Sequence, residues 1–260
     1  MKIKIRPQNI VIVGGATGIG YATAQKLLDN GCGNVVLASR NLQKLETASK
    51  SLQHTSDQKI SVYEFDISDV KSHNEMIQGI YNELKVIPDG LIISSGVNFD
   101  GSNWKGFNIS EKDYDKVMDI NLKGVFFLIR NFSNYLFSHQ CKGNICVVSS
   151  ISAHRDLLSV YQISKNAVSG IVHAYGKHLC ERGIVLNCVE PGAIHTDMMK
   201  HLSGYTDGIR EGKPWSDNSI GRLLRTDEIA DIICFLMSDL GEAMSGSCVL
   251  AGGGCKTLSW

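Results

Sequence analysis

An apolar, β-branched run over residues 9–13 breaks off into Gly14-Gly15-Ala16-Thr17-Gly18-Ile19-Gly20, then continues as an amphipathic run to Asn30. The first part has the look of a strand buried on both faces, and Gly31 supplies a helix stop. Strand, glycine turn and helix, in that order, are the setting in which a helix N-terminus meets a pyrophosphate. Gly14 permits the tight turn, Gly18 lets backbone approach phosphate, and Gly20 lets the helix pack closely. The spacing is Gly-x-x-x-Gly-x-Gly, not the commoner Gly-x-Gly-x-x-Gly.

The same alternation recurs along the chain. Strands are expected at residues 34–38, 60–65, 91–93, 145–148, 185–189 and 248–250, with helical runs at 42–52, 72–84, 112–134, 161–182 and 226–236. Thr226 is the expected N-cap of the last helix. No composition break or linker interrupts the pattern, which implies one α/β domain built on a doubly wound parallel sheet with helices on both faces. The chain of 260 residues is 43% apolar and 20% charged, which excludes extensive disorder. Zero formal net charge gives no field that favours nucleic acid or an anionic membrane. No run reaches the roughly 18 apolar residues of a membrane span. A soluble, cytoplasmic protein is expected. The eight cysteines and eight histidines show no disulfide framework and no metal-ligand spacing, so reduced, mostly buried thiols and no metal are expected.

Ligands of such sheets sit at the carboxyl ends of the strands, and the distinctive residues gather there. Ser39-Arg40 ends the second strand. A carboxylate at this place would hold ribose hydroxyls, whereas Arg40 can pair with a 2′-phosphate, which favours NADP(H) over NAD(H). Asp66 ends the third strand and could accept from an adenine amino group or cap the next helix. Ser94-Ser95-Gly96 ends the fourth. Asn121 sits amid apolar residues of a helical run, either at a bulge or as a buried, hydrogen-bonded side chain. After the fifth strand come Ser149 and Ser150, then Tyr161 and Lys165, which are four residues apart and so share one helix face. An ammonium beside a phenol lowers the phenol's pKa from its usual value of about 10 and equips it for proton transfer. Residues 197–220, with three glycines, Pro214 and Trp215, read as a lid; with Ile194, Met198 and Met199 they hint at an apolar pocket.

With these residues assembled, the chain resembles the short-chain dehydrogenases/reductases over residues 9–254. The markers are Gly14-x-x-x-Gly18-Ile19-Gly20, Asp66, Asn121, a serine before Tyr161-x-x-x-Lys165, Pro191-Gly192 and Gly252-Gly253. The resemblance implies a Rossmann-like single domain with a substrate lid at about 195–220, and catalysis by Asn121, Ser150, Tyr161 and Lys165, with Ser149 the alternative serine. It implies cofactor contacts from Gly14, Thr17, Gly18 and Ile19 at the first turn and from Ser39 and Arg40 at the second. Asp66, Ile67, Ser95 and Gly96 would line the adenine and ribose side. Tyr161, Lys165, Pro191, Gly192, Ile194 and Thr196 would line the nicotinamide side. It also implies a homotetramer or homodimer through the two long helices. Departures from the family pattern include Val13 in place of threonine, Ser94-Ser95 in place of an asparagine-containing turn, and Ala251 in place of aspartate.

The activity so implied is NADP(H)-dependent, reversible reduction of a ketone to a secondary alcohol, with Tyr161 as acid and base. Alternatives are a 3-oxoacyl-carrier-protein reductase, or an NAD-dependent steroid or polyol dehydrogenase. A dinucleotide-binding regulator without catalysis is the reading from a different class.

Overall fold

The computed structural model describes residues 4–98, 109–155, 159–196 and 218–256, together with the backbone of three two-residue strands at 205–206, 209–210 and 213–214. Seven strands form one parallel sheet: β1 (Asn9–Val13), β2 (Asn34–Ser39), β3 (Lys59–Glu64), β4 (Gly90–Ile93), β5 (Gly143–Val148), β6 (Ile184–Pro191) and β7 (Cys248–Ala251). Their order across the sheet is β7-β6-β5-β4-β1-β2-β3. The chain leaves β1 for β2 on one side and later returns to β4 on the other, so a crevice opens where the winding reverses.

Burial on both faces explains the near-continuous apolar runs. Val11 and Val13 point into a core shared with Leu91, Ile93, Ile145 and Val147, beneath α3 (His73–Leu84), α5 (Val125–Ser138) and α6 (Val160–Cys180). Ile10 and Ile12 point the other way, into a core with α1 (Gly18–Asp29), α2 (Leu42–Ser51) and α7 (Thr226–Leu236). α1 and α7 are also tied by Lys26 and Asp231 at 2.8 Å.

The expected strands and helices are all present with small shifts in their ends, and three local readings change. The long helical run from 112 is divided: α4 (Glu111–Met118), a π-helical turn at Asp119–Gly124, then α5. Arg225, not Thr226, is the N-cap of α7, because the Glu228 carboxylate reaches back to accept from the Arg225 N–H at 2.8 Å. Cys180 is exposed, and Cys141, Cys248 and Cys255 are half-buried, so only four of the eight thiols are fully buried. The expected lid falls largely outside the described residues, as do Met198, Met199 and Trp215; the three short strands there pair antiparallel. Among the described residues, no helix is long and apolar enough to cross a membrane.

Candidate active site

A cavity of about 990 Å³ lies at the carboxyl ends of β1, β2, β4, β5 and β6. The candidate catalytic and cofactor-binding residues, except Asn121, all line it. At its first wall Gly14 adopts φ +88°, and a Cβ there would lie 2.7 Å from the Ser95 amide nitrogen. Gly20 leaves room for the Gly14 carbonyl, 2.3 Å from where a Cβ would stand, so the turn folds flat against the helix. Gly18 adopts φ +57°, and its missing side chain would meet only Thr196 Cγ2 at 3.7 Å. Backbone is therefore open to the cavity here. Thr17 is the N-cap of α1 and exposed, and Ile19 follows in the first turn, its carbonyl accepting from the Thr23 hydroxyl at 2.7 Å.

Farther along, Ser39 and Arg40 stand at the end of β2, with Arg40 exposed and joined to no carboxylate among the described residues. Asp66 Oδ1 accepts from the Ser68 amide at 2.9 Å and its hydroxyl at 2.7 Å and so closes a local turn; it does not cap a helix, since Asp69 caps the 3-10 turn Val70–Ser72 and Ser72 precedes α3, but it lines the cavity. Ile67 is buried, and its carbonyl accepts from His73 Nε2 at 2.8 Å. Ser39 Oγ and Ser95 Oγ are buried without hydrogen-bond partners although both residues line the cavity. Orphaned hydroxyls and an open glycine turn at a helix N-terminus, with the exposed Arg40 guanidinium beyond them, fit a dinucleotide.

At the opposite end the reactive groups converge. Ser159 starts α6 through a capping box with Gln162 and so fixes the helix turn that presents Tyr161 and Lys165. Ser150 stands close enough to Tyr161 for its side chain to draw the phenol's pKa down, while Ser150 Oγ accepts from the Ser152 amide at 3.1 Å. Ser149 turns away, donating to the Lys165 carbonyl at 3.1 Å. Lys165 is 4% exposed and its ammonium donates to the Val148 carbonyl at 3.0 Å. It lies 5.8 Å from the centre of the Tyr161 ring. Burial lowers the Lys165 pKa from 10.5 to about 8. Tyr161 moves opposite to the simple expectation: burial raises its pKa above the usual value, and the Ser150 contact offsets this only in part. The ammonium is held against a backbone carbonyl and does not bring the phenol down.

Asn121 stands behind the wall, inside the π-helical turn, so both readings of it hold. Its Oδ1 accepts from the Val97 amide and its Nδ2 donates to the Val97 carbonyl, each at 2.8 Å; Nδ2 also reaches Ser164 Oγ at 3.3 Å. This clamp braces the exit of β4. Gly96 packs over the same group, where a Cβ would stand 3.4 Å from Lys165 Nζ and 3.6 Å from Asn121 Oδ1. Pro191 ends β6, and Gly192 donates to the Ala251 carbonyl at 2.9 Å. Ile194 pairs with Leu224 and is buried at 6%, largely in the core; Thr196 faces the Gly18 turn.

Sequence spacing missed a buried polar group behind Lys165. Glu190 is fully buried in β6, where it accepts from Ser169 Oγ at 2.5 Å and meets His154 Nε2 at 2.6 Å. Cys188 and Cys248, register partners on β6 and β7, bring their sulfurs within 4.8 Å of each other and of a Glu190 oxygen. Adjacent strands, far apart in the chain, make this group, so no linear motif signals it.

The fold and this constellation define a nicotinamide-dependent oxidoreductase of the Rossmann type. Residues 14–256 match the family described as Enoyl-(Acyl carrier protein) reductase. The chain belongs to the short-chain dehydrogenase/reductase family and is an NAD(P)-dependent dehydrogenase/reductase. It is similar to the (S)-acetoin-forming diacetyl reductase of Staphylococcus epidermidis, with 26% identity over 254 residues, 94% of this chain and 96% of that protein. It is also similar to the L-rhamnose 1-dehydrogenase (NADP(+)) of Thermoplasma acidophilum, with 28% identity over 262 residues and 97% of each chain. Among solved structures, the 3-oxoacyl-acyl-carrier-protein reductase of Brucella melitensis superposes with a TM-score of 0.83 over 98% of this chain and 94% of that one, at 21% identity.

Proposed function

We propose that the chain is an NADP(H)-dependent reductase of ketones, acting reversibly as a secondary-alcohol dehydrogenase, with Tyr161 as the proton donor. The observation that carries this reading is the convergence of Ser150, Tyr161 and the buried Lys165 in the same cavity as the glycine turn and Arg40. A bound nicotinamide dinucleotide supplies the hydride. Tyr161 donates its proton to the carbonyl oxygen, and Ser150 holds that oxygen in place by hydrogen bonding. Because burial keeps the phenol protonated, the resting state is the acid form that reduction needs. Lys165 keeps a positive charge beside the developing phenolate at neutral pH and loses it as pH rises past about 8. Asn121 is a positioning residue that holds the β4 exit through Val97.

Preference for NADP(H) is supported by Arg40, by the absence of an acid at the end of β2, and by the NADP(+) in the name of the Thermoplasma relative. Tyr114, Ile163 and Tyr175 stay about 40% exposed on α4 and α6, an apolar face suited to a homodimer or homotetramer. Eight free thiols suit the reducing cytoplasm. We read residues 195–220 as the substrate lid.

Tyr161→Phe is the test. Ketone reduction should fall on the order of 10²- to 10⁴-fold, the usual contribution of a positioned acid, while dinucleotide binding persists. A variant that reduces ketones as well as the wild type would overturn the role of Tyr161. A wild type that binds dinucleotide yet turns over no ketone would favour the non-catalytic regulator.

A further inference from the structure

Beyond Tyr161 the cavity wall is more polar than a hydrocarbon substrate requires. Arg155 follows the 3-10 turn Ile151–His154 and lines the cavity with Ser152, Gln162, Asn218 and Cys255. A guanidinium is permanently charged and carries five N–H donors in a rigid fork. Here the fork is nearly unused. Among the described residues, Nη2 donates only to Cys255 Sγ at 3.6 Å, a weak acceptor, and Nε is buried with no partner. Among the described residues, no carboxylate pairs with Arg155. Asn218, 3% exposed on the same wall, donates from Nδ2 to the Arg222 carbonyl at 2.8 Å, and its Oδ1 is also buried without a partner. Buried polar atoms are almost always satisfied, and two orphans on one wall of a reaction cavity mark where a ligand's polar groups go.

We propose that Arg155 is a specificity-determining residue that binds an anionic group, a carboxylate or a phosphate, on the carbonyl substrate. The substrate is then an oxo acid or a phosphorylated ketone, in preference to a neutral steroid or alkyl ketone. The proposal rests on the reductase reading for its chemistry and on Arg155 alone for its selectivity. Reduction adds a hydride to the carbonyl carbon and the Tyr161 proton to its oxygen, as the reduced dinucleotide is oxidised. The anionic group takes no part in bond making, so Arg155 acts on binding and its loss appears in KM more than in kcat. A planar guanidinium matches a carboxylate or phosphate through two parallel N–H···O bonds, which an ammonium does not reproduce.

The test has a binding arm and a kinetic arm. Hexanoate, hexyl phosphate and hexanamide are titrated against the protein saturated with NADP⁺, with the thermal midpoint as readout. At least one anion should bind about tenfold or more tightly than the amide, and whichever does identifies the source of the charge. Arg155→Met should abolish that preference, and Arg155→Lys should retain part of it. In the kinetic arm, the ratio of kcat/KM for 3-oxohexanoate (if the carboxylate binds) or a phosphorylated ketone (if the phosphate does) to that for its neutral ester should collapse in Arg155→Met through KM. Equal binding of amide and both anions by the wild type, or an anion preference that survives Arg155→Met, overturns the proposal. Anion binding that depends on Arg155 without turnover of any ketone would instead sink the reductase reading and leave the anion site standing.

Discussion

Replacing Lys165 with methionine keeps most of the stem and deletes the charge, and the linkage between protonation and folding turns this into a measurable quantity. Burial brings the Lys165 pKa from 10.5 to about 8 in the folded chain, whereas the unfolded chain titrates near the ordinary value. Between those limits the unfolded chain holds a proton that the folded chain has released. The wild type therefore gains stability as pH rises through that window, and below about pH 8 it carries the full cost of burying an ammonium. One proton over a window of about 2.5 pH units, at about 1.36 kcal/mol each, gives about 3 kcal/mol. The buried thiols work in the opposite sense. Cys32 and Cys234 are pushed up to about 12 by burial, so above about pH 9 the unfolded chain loses protons that the folded chain keeps, and stability falls. That contribution is common to wild type and variant and cancels in their difference. Urea unfolding of both proteins without dinucleotide, from pH 7 to 10.5, supplies the measurement. Relative to Lys165→Met, the wild type should gain about 3 kcal/mol across that range. Parallel stability curves for the two proteins would refute the reasoning, since they would mean that Lys165 is not desolvated.

Two further outcomes follow from the same geometry. Arg40→Ala should weaken NADPH binding by about tenfold, the value of an exposed charge-assisted contact of roughly 1.4 kcal/mol, and leave NADH binding nearly as it was; titration of dinucleotide fluorescence reads both. Asn121→Ala removes the Val97 clamp and leaves its amide and carbonyl unpaired, a loss of about 2 to 4 kcal/mol and of roughly 5 to 15 °C in Tm by calorimetry.

Strand ends carry most of the chemistry here, and they were legible because buried parallel strands read as short apolar runs that break at small or polar residues. Gly14 to Gly20, Ser39-Arg40, Ser149-Ser150 and Pro191-Gly192 all stand at such breaks. The π-helical turn was half legible: Asn121 is out of place in an apolar helical run, but its partner Val97 lies across a loop and only the fold supplies it. The direction of the Tyr161 shift was not legible. The i, i+4 spacing brings Lys165 near, yet burial sets the direction of both shifts, and burial belongs to the packed molecule. Arg155 and Glu190 were missed for the same reason. Each is an ordinary charged residue in the chain and is unusual only for what surrounds it in space.

The wide turn at Asp119–Gly124 separates helix length from helix phase. An α-helix rotates about 100° per residue, and a π turn takes up one residue more than its α counterpart. Dropping any one residue from 119–124 would restore an unbroken α-helix, with its backbone bonds intact and its propensities nearly unchanged. Because the wide turn has already absorbed the extra residue, α5 would keep its phase against α4 and Leu128, Phe132 and Leu136 would still cover the sheet; what would go is the widened turn from which Asn121 clamps Val97. Gly124 belongs to the same turn, and a side chain there would stand 2.4 Å from the Ile67 carbonyl. This stretch carries a spare residue: the phase between the two helices survives its loss, and the turn that the Asn121 clamp needs does not.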